Sequence, residues 1–446
     1  MLRNPVSAGK LLGARLICLA GFFFSPSLLA APGDLDLTFG SSGKVISAYG
    51  GTSMFGPAIK VQADGKIVVA GKHNNGGNDD FVIQRYLGSG ALDPDFGKGG
   101  TTIFPFSALD DNAKALAFQA DGKILVAGEG HFGTSYGRHA LMRLNANGTV
   151  DSSFGVGGKV VTDFGLPSHI HSLLVQSDGK IVVVGEFYAS ETNGSLAIVR
   201  YLADGSLDSS FASGGKIVQK FGNNTNGHAI AVQPDGKLLI AGYMTNPTTS
   251  KDEFILVRYS SSGVIDSSFG TSGYSTVAIG QGKNYCHSLL LQSDGKIVLL
   301  GGALTSNAND FALARFDSNG ALDSSFGSAG IVTTEFTSSG APSSEEAASG
   351  ALQADGKIVA GGYSKGQFAL VRYLSSGALD TGFGKGGKTT ARIGTGGDDF
   401  IKSVALQADG KIVVVGFSKN AGVYNMALAR FINTTPATPI LLLLLD

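Results

Sequence analysis

The tripeptide Asp-Gly-Lys occurs seven times, at Asp64, Asp121, Asp178, Asp235, Asp294, Asp355 and Asp409, at intervals of 57, 57, 57, 59, 61 and 54 residues. A second motif, Asp-x-x-Phe, keeps step at Asp36, Asp93, Asp151, Asp208, Asp266, Asp323 and Asp380, and Gly follows the Phe in six of these seven copies. A long period repeated this often specifies one supersecondary unit used many times. It also sorts the polar residues. One present in every copy belongs to the scaffold, and one that departs from the repeat marks where function should be sought.

The fourth copy shows the unit. A short first strand, Ala229 to Gln233, leads through Pro234-Asp235-Gly236 into an almost wholly apolar second strand, Lys237 to Ala241. Such a run fits a central strand buried on both faces. Pro234 and Asp235 fit the middle of a type I turn, and Gly236 fits the left-handed residue of a bulged hairpin. A third strand, Phe254 to Tyr259, carries β-forming residues and one Arg. Then Asp266-Ser-Ser-Phe269-Gly270 precedes a fourth strand, Tyr274 to Ala278. Asp266 is placed to accept from backbone N–H groups ahead of it, and Ile265 and Phe269 are spaced to fill the gap between neighbouring units.

Four antiparallel strands in each of seven units predict an all-β fold, a seven-bladed β-propeller. The rival, an open β-solenoid, has a shorter usual period. The chain ends favour closure. The first copy begins at Asp36 and a fourth strand, Lys44 to Ala48, and the last stops after a third strand, Met426 to Phe431. Together they make one blade, so the strand at Val45 is expected to pair with the strand of Arg430, completing the last blade and removing the open edges.

The Leu-Asp-x-x-Phe-Gly and Gln-x-Asp-Gly-Lys-Ile motifs resemble those of the delta-60 repeat family of exported bacterial proteins, over nearly all of the chain after residue 31. The Asp-Gly hairpin and Phe-Gly turn are more loosely similar to NHL-repeat propellers. The resemblance implies the fold and carries no defined activity.

Residues 1–31 read as a signal peptide: Arg3, Lys10 and Arg15 precede the apolar run Leu16 to Phe24, and small residues end at Ala30 and Ala31. Arg15, three residues before Cys18, argues against a lipoprotein site. The apolar run is too short for a comfortable membrane anchor. Without the three leader cations, 31 basic residues face 35 acidic ones, a net charge of −4, which gives no basic patch for nucleic acid. The remaining cysteine, Cys286, can form no internal disulfide, so packing in a closed ring must hold the chain. The propeller is expected over 35–433. Residues 434–446 form a tail ending in five Leu and Asp446, too short to span a membrane.

Two repeated sets read as scaffold. Arg85, Arg143, Arg200, Arg258, Arg315, Arg372 and Arg430 hold one position in the seven third strands, beside the seven Asp-x-x-Phe aspartates. A ring of anion-binding arginines is one reading. An Arg–Asp pair in each blade is the better one, because a partly buried Arg needs a fixed partner. Gln62, Gln119, Gln176, Gln233, Gln292, Gln353 and Gln407 end the first strands and are expected to bond to the hairpin backbone.

Five residues before each Gln the copies diverge: Pro57, Lys114, His171, His228, His287, Ala348 and Lys402. Three consecutive blades carry His where the first strand should line the central channel. The seven histidines (His73, His131, His139, His169, His171, His228, His287) are all placed by this reading at first-strand starts or in loops after second strands. His171, His228 and His287 can hold a divalent ion such as Zn²⁺, Cu²⁺ or Ni²⁺, or with Lys114 and Lys402 an anionic ligand; a polar rim with no ligand is the plain alternative. Acidic pairs at Asp79-Asp80, Asp110-Asp111, Asp252-Glu253, Glu345-Glu346 and Asp398-Asp399 are expected as solvated loop charge, since no calcium-loop motif accompanies them. No catalytic triad spacing, nucleotide-binding loop, HExxH or CxxC is present. The expectation is an exported, monomeric, non-enzymatic binding scaffold meeting a protein or glycan at the cell envelope. A metal-assisted lyase or hydrolase and a purely structural surface protein are the alternatives.

Overall fold

A computed structural model describes residues 30–51, 56–133, 137–189, 194–305, 308–336 and 344–434. Most of the leader and the tail beyond residue 434 lie outside the described residues. The strands form seven four-stranded antiparallel sheets, each ordered first to fourth strand. Six blades use consecutive strands; the first strands of blades 2 to 6 are Asp111–Phe118, Ser168–Val175, Thr225–Val232, Asn284–Leu291 and Glu345–Leu352. The seventh joins Asp399–Leu406, Ile412–Asn420 and Val423–Phe431 to Lys44–Gly51, with Lys44 opposite Ala429 and Val45 opposite Leu428. The ring is closed by its two ends. Among the described residues no helix is long and apolar enough to cross a membrane.

The core lies between blades. Val68 and Phe81 of the first blade pack with Leu116 and Val126 of the second, and the same stacking recurs around the ring. Second strands are buried along most of their length because both faces meet a neighbouring sheet.

The Asp-Gly-Lys turn takes the bulged-hairpin form. In the fourth copy Gly236 N–H donates to Gln233 O at 2.9 Å, Gln233 N–H donates to Lys237 O at 2.9 Å, and Gly236 has φ +82°. The Gln contribution is main-chain. The expected bond to the hairpin backbone is thus present in every copy; the side-chain oxygens of Gln62, Gln119, Gln176, Gln233, Gln292 and Gln353 have no hydrogen-bond partner among the described residues.

The two repeated motifs meet at one carboxylate. In each blade Arg Nε lies 2.7–2.9 Å from the Asp-x-x-Phe carboxylate: Arg85 with Asp93, Arg143 with Asp151, Arg200 with Asp208, Arg258 with Asp266, Arg315 with Asp323, Arg372 with Asp380, and Arg430 with Asp36. The Lys of Asp-Gly-Lys reaches the same oxygen, as Lys237 does Asp266 at 3.1 Å and Lys411 does Asp36 at 3.2 Å. Each guanidinium lies over the motif Phe, 4.3 Å from the ring centre for Arg200 on Phe211. Its Nη1 donates to a carbonyl of the next blade, as Arg258 does to Ser318 at 2.7 Å. One side chain thus fixes its own turn and staples the following blade.

Two expectations are corrected. The first strand is longer than the sequence indicated: Thr225–Val232 instead of Ala229 to Gln233. The acidic pairs are not simply solvated loop charge. Asp111, Glu345 and Asp399 are fully buried. They open first strands, and their carboxylates accept from the backbone N–H of Phe106, Phe336 and Ile393 just ahead of them. Thr225 and Asn284 do the same work in blades 4 and 5. Chain polarity forces a reversal there, and the buried N–H groups of that reversal need an acceptor.

Candidate functional site at the channel mouth

The diverging position is a β-bulge. In blade 3, Ile170 opposes Gly185 and Ser172 opposes Val184, so His171 is the extra residue. The same shift isolates Lys114, His228, His287, Ala348 and Lys402 in blades 2, 4, 5, 6 and 7. A bulge frees one residue from the ladder and re-aims its side chain. Here these residues share the central channel cavity, about 710 Å³, together with Lys60, Glu346 and Tyr363. Pro57, the blade 1 counterpart, also lines it but precedes the strand Ala58–Val61.

The bulge explains a second-strand glycine. A Cβ on Gly185 would stand 1.7 Å from the His169 carbonyl oxygen, and one on Gly242 would stand 1.8 Å from that of Asn226. No side chain fits there.

The residue after this glycine is a second variable position that the first-strand search missed. It is Lys72, Glu129, Glu186, Tyr243, Gly302, Tyr363 and Phe417 in blades 1 to 7. Glu129, Glu186, Tyr243 and Phe417 touch bulge residues and Tyr363 lines the cavity, while Lys72 pairs with Asp79. Aligning second strands on that glycine would have found the two carboxylates from sequence. Glu186 lies opposite His169 in the ladder, and its two carboxylate oxygens are each 2.7 Å from His171 Nε2. One N–H can serve only one of them, and Glu186 Oε2 is left without a hydrogen bond although the residue is only 4% exposed. Glu129 takes Lys114 Nζ at 3.2 Å and His169 Nδ1. Burial would raise the Glu129 carboxyl, but Lys114 and His169 reverse that and hold it far below the usual carboxylate range.

The three bulge histidines do come together. His171 and His228 stack with ring centres 4.4 Å apart and planes at 20°. His228 Nδ1 is 3.0 Å from His287 Nδ1. His287 Nε2 in turn bonds to Glu346 Oε1 of blade 6. Glu346 reaches it across Gly302, where a Cβ would stand 2.7 Å from the Glu346 Cγ. Burial first, then the neighbouring His171, His287 and Lys114, keep His228 well below its ordinary pKa. Burial likewise lowers Lys60 and Lys402. The ligand atoms of His171, Glu186 and His228 all lie within 4.8 Å of one another.

Not every histidine follows the expectation. His139 sits in the third strand Arg138–Leu144, almost fully buried, with both ring nitrogens unpartnered, and burial then His169 push it down to about 3. His73 lies inside the second strand Ile67–Asn74 instead of the loop after it, whereas His131 does follow a second strand, Ile124–Gly130, and bonds to the Asp110 carbonyl.

Closed blades around a polar channel define a seven-bladed β-propeller with a histidine–carboxylate mouth. The chain belongs to the family described as Domain of unknown function (DUF5122) beta-propeller, whose model matches residues 62–96, 119–154, 176–211, 233–269, 292–326, 353–383 and 407–431. No curated protein matches it. Similar solved structures include a protein of unknown function from Dyadobacter fermentans, at 14% identity and TM-score 0.46, covering 87% of this chain and 97% of that one. Virginiamycin B lyase from Staphylococcus aureus is similar at 12% identity and TM-score 0.49, covering 87% of this chain and 99% of that one.

Proposed function

We infer that this protein is an exported, non-enzymatic binding propeller of the cell envelope, and that its ligand engages the channel mouth. One observation carries this reading. In six blades the first-strand residue that breaks the repeat sits on the same β-bulge, and these six residues line one cavity. The scaffold motifs fill the rest of each blade. Imidazoles, lysines, carboxylates and tyrosines at one mouth can recognise a polar ligand carrying both acidic and hydroxyl groups, such as the end of a glycan or peptide. A panel of envelope glycans and peptides, screened against the protein lacking residues 1–31, tests it. Binding lost in Lys114→Glu and Lys402→Glu but kept in Asp294→Asn, on the far turn, supports the channel mouth. Binding that survives both lysine reversals places the contact elsewhere.

A further inference from the structure

We propose that His171, Glu186 and His228 bind one divalent transition-metal ion at the channel mouth, with His287 and Glu346 as the outer relay that orients His228. This deepens the preceding reading and rests on the mouth being the functional centre.

Three observations converge. First, the donors are already near ligand spacing. Ligands at about 2.0–2.2 Å from one ion stand roughly 3–4 Å apart, and these three side chains have their donor atoms within 4.8 Å of one another. The His171 Nε2 to Glu186 separation of 2.7 Å is that of a hydrogen bond, so an ion replacing the shared proton needs the pair to open by only about 0.5–1 Å to reach ligand spacing. Second, Glu186 is a buried carboxylate with one oxygen unsatisfied and an imidazole as its hydrogen-bonding partner. A buried carboxylate needs a cation or further donors, and an ion supplies the charge. Third, the outer shell is present. A ligating histidine ordinarily gives its second ring nitrogen to an acceptor that fixes the tautomer. If His287 Nε2–H donates to Glu346, its Nδ1 accepts from His228 Nδ1–H at 3.0 Å, which leaves His228 Nε2 unprotonated for the metal. Gly302 makes the relay possible, since any side chain there would push on Glu346.

The donor set also names the class of ion. Two imidazoles and one carboxylate suit a borderline ion such as Zn²⁺; Ca²⁺ and Mg²⁺ prefer all-oxygen shells. Three protein ligands leave a coordination position open toward the cavity, where an oxygen of a bound ligand can enter.

The test uses the chain without residues 1–31, stripped with a chelator. Zn²⁺ is titrated calorimetrically, and Co²⁺ is followed by its visible spectrum. The expected result is one equivalent of saturable binding. His171→Ala and the isosteric Glu186→Gln should each weaken it by more than the about 100-fold upper end for outer-shell changes, and His287→Ala should weaken it by about 10–100-fold. His131→Ala, a histidine outside the cluster, should bind as the unaltered protein does. Circular dichroism confirms folding, and Glu186→Gln serves where His171→Ala does not fold. Absence of saturable binding by the folded protein overturns the proposal, as does unchanged affinity in Glu186→Gln. Glycan or peptide binding by a folded protein that takes up no Zn²⁺ would leave the binding reading standing while the metal site fell.

Discussion

Arg430 and Asp36 are 394 positions apart in sequence, and Arg430 Nε lies 2.8 Å from the Asp36 carboxylate. The same pair is eight positions apart in the other blades, as in Arg258 and Asp266. In the seventh blade the local contact has become the closure of the ring. Arg430 also donates through Nη1 to Gly88 of the first blade, and Lys411 reaches Asp36 at 3.2 Å.

Breaking this pair should therefore loosen the ring as well as one blade. Removing one partner of a buried ion pair costs about 3–5 kcal/mol. Arg430→Ala and Arg258→Ala are both expected to lose that much, but only Arg430→Ala should also speed proteolysis at the amino-terminal strand Lys44–Gly51. Deleting residues 35–48 should lower stability further. Urea unfolding and limited proteolysis read both effects, and unchanged stability after the deletion would refute closure.

Acid should act through the same carboxylates. Burial works to raise Asp36, but the Thr38 hydrogen bonds, Arg430 and Lys411 outweigh it and hold it at about 2. Asp208 is held at about 2 by Ser210, Arg200 and Lys180 against the same burial effect. A carboxyl depressed in the folded state contributes stability that is complete above its unfolded value, about 4, and is lost as pH falls through the folded value. The urea midpoint should begin to fall below about pH 6.5, where the unfolded chain protonates His139 and His228 that the fold keeps neutral, and should drop more steeply between about 4 and 2 as the carboxylates add their share. A midpoint unchanged at pH 2 would contradict this.

Two glycines should respond oppositely to a methyl group. At Gly185 the new Cβ would sit 1.7 Å from a backbone oxygen that cannot retreat without opening the bulge. Gly185→Ala should cost upward of about 2 kcal/mol. At Gly302 the obstacle is the flexible Glu346 side chain. Gly302→Ala should cost less than about 1 kcal/mol yet shift the imidazole nitrogen resonances of His287, as Glu346 leaves it. Thermal unfolding and NMR of the two variants separate the cases.

Cys286 offers a check on packing. It is fully buried beside the bulge of blade 5, and burial pushes its thiol up to about 12. A thiol reagent at neutral pH should leave it unmodified in the native protein and label it fully in denaturant. Rapid native labelling would show that blade 5 opens there.

The fold was legible because its determinants are local and repeated. Gly236 after Pro234-Asp235 announces a bulged hairpin, and its φ of +82° is the value such a turn requires. The incomplete first and last copies announce closure for the same reason. The site was legible only in part. His171, His228 and His287 stood out by departing from the repeat, but Glu346 looked like ordinary loop charge and Glu186 lay outside the first-strand comparison. Nothing in one strand tells which residue of the next stands beside it, and Glu346 meets His287 only because two blades stack. His139 misled for a related reason: its strand begins earlier than the apolar run shows.

The sequence by itself determined the repeat, the blade, the turn chemistry and the address of the exceptions, since each follows from residues within one period. Only the tertiary structure decided that the exceptions sit on bulges, that the Asp-Gly-Lys lysine and the third-strand arginine share one carboxylate, and that three imidazoles converge with the buried Glu186 and the half-buried Glu346. Those relations depend on register and on the angle between blades, which packing across the ring sets.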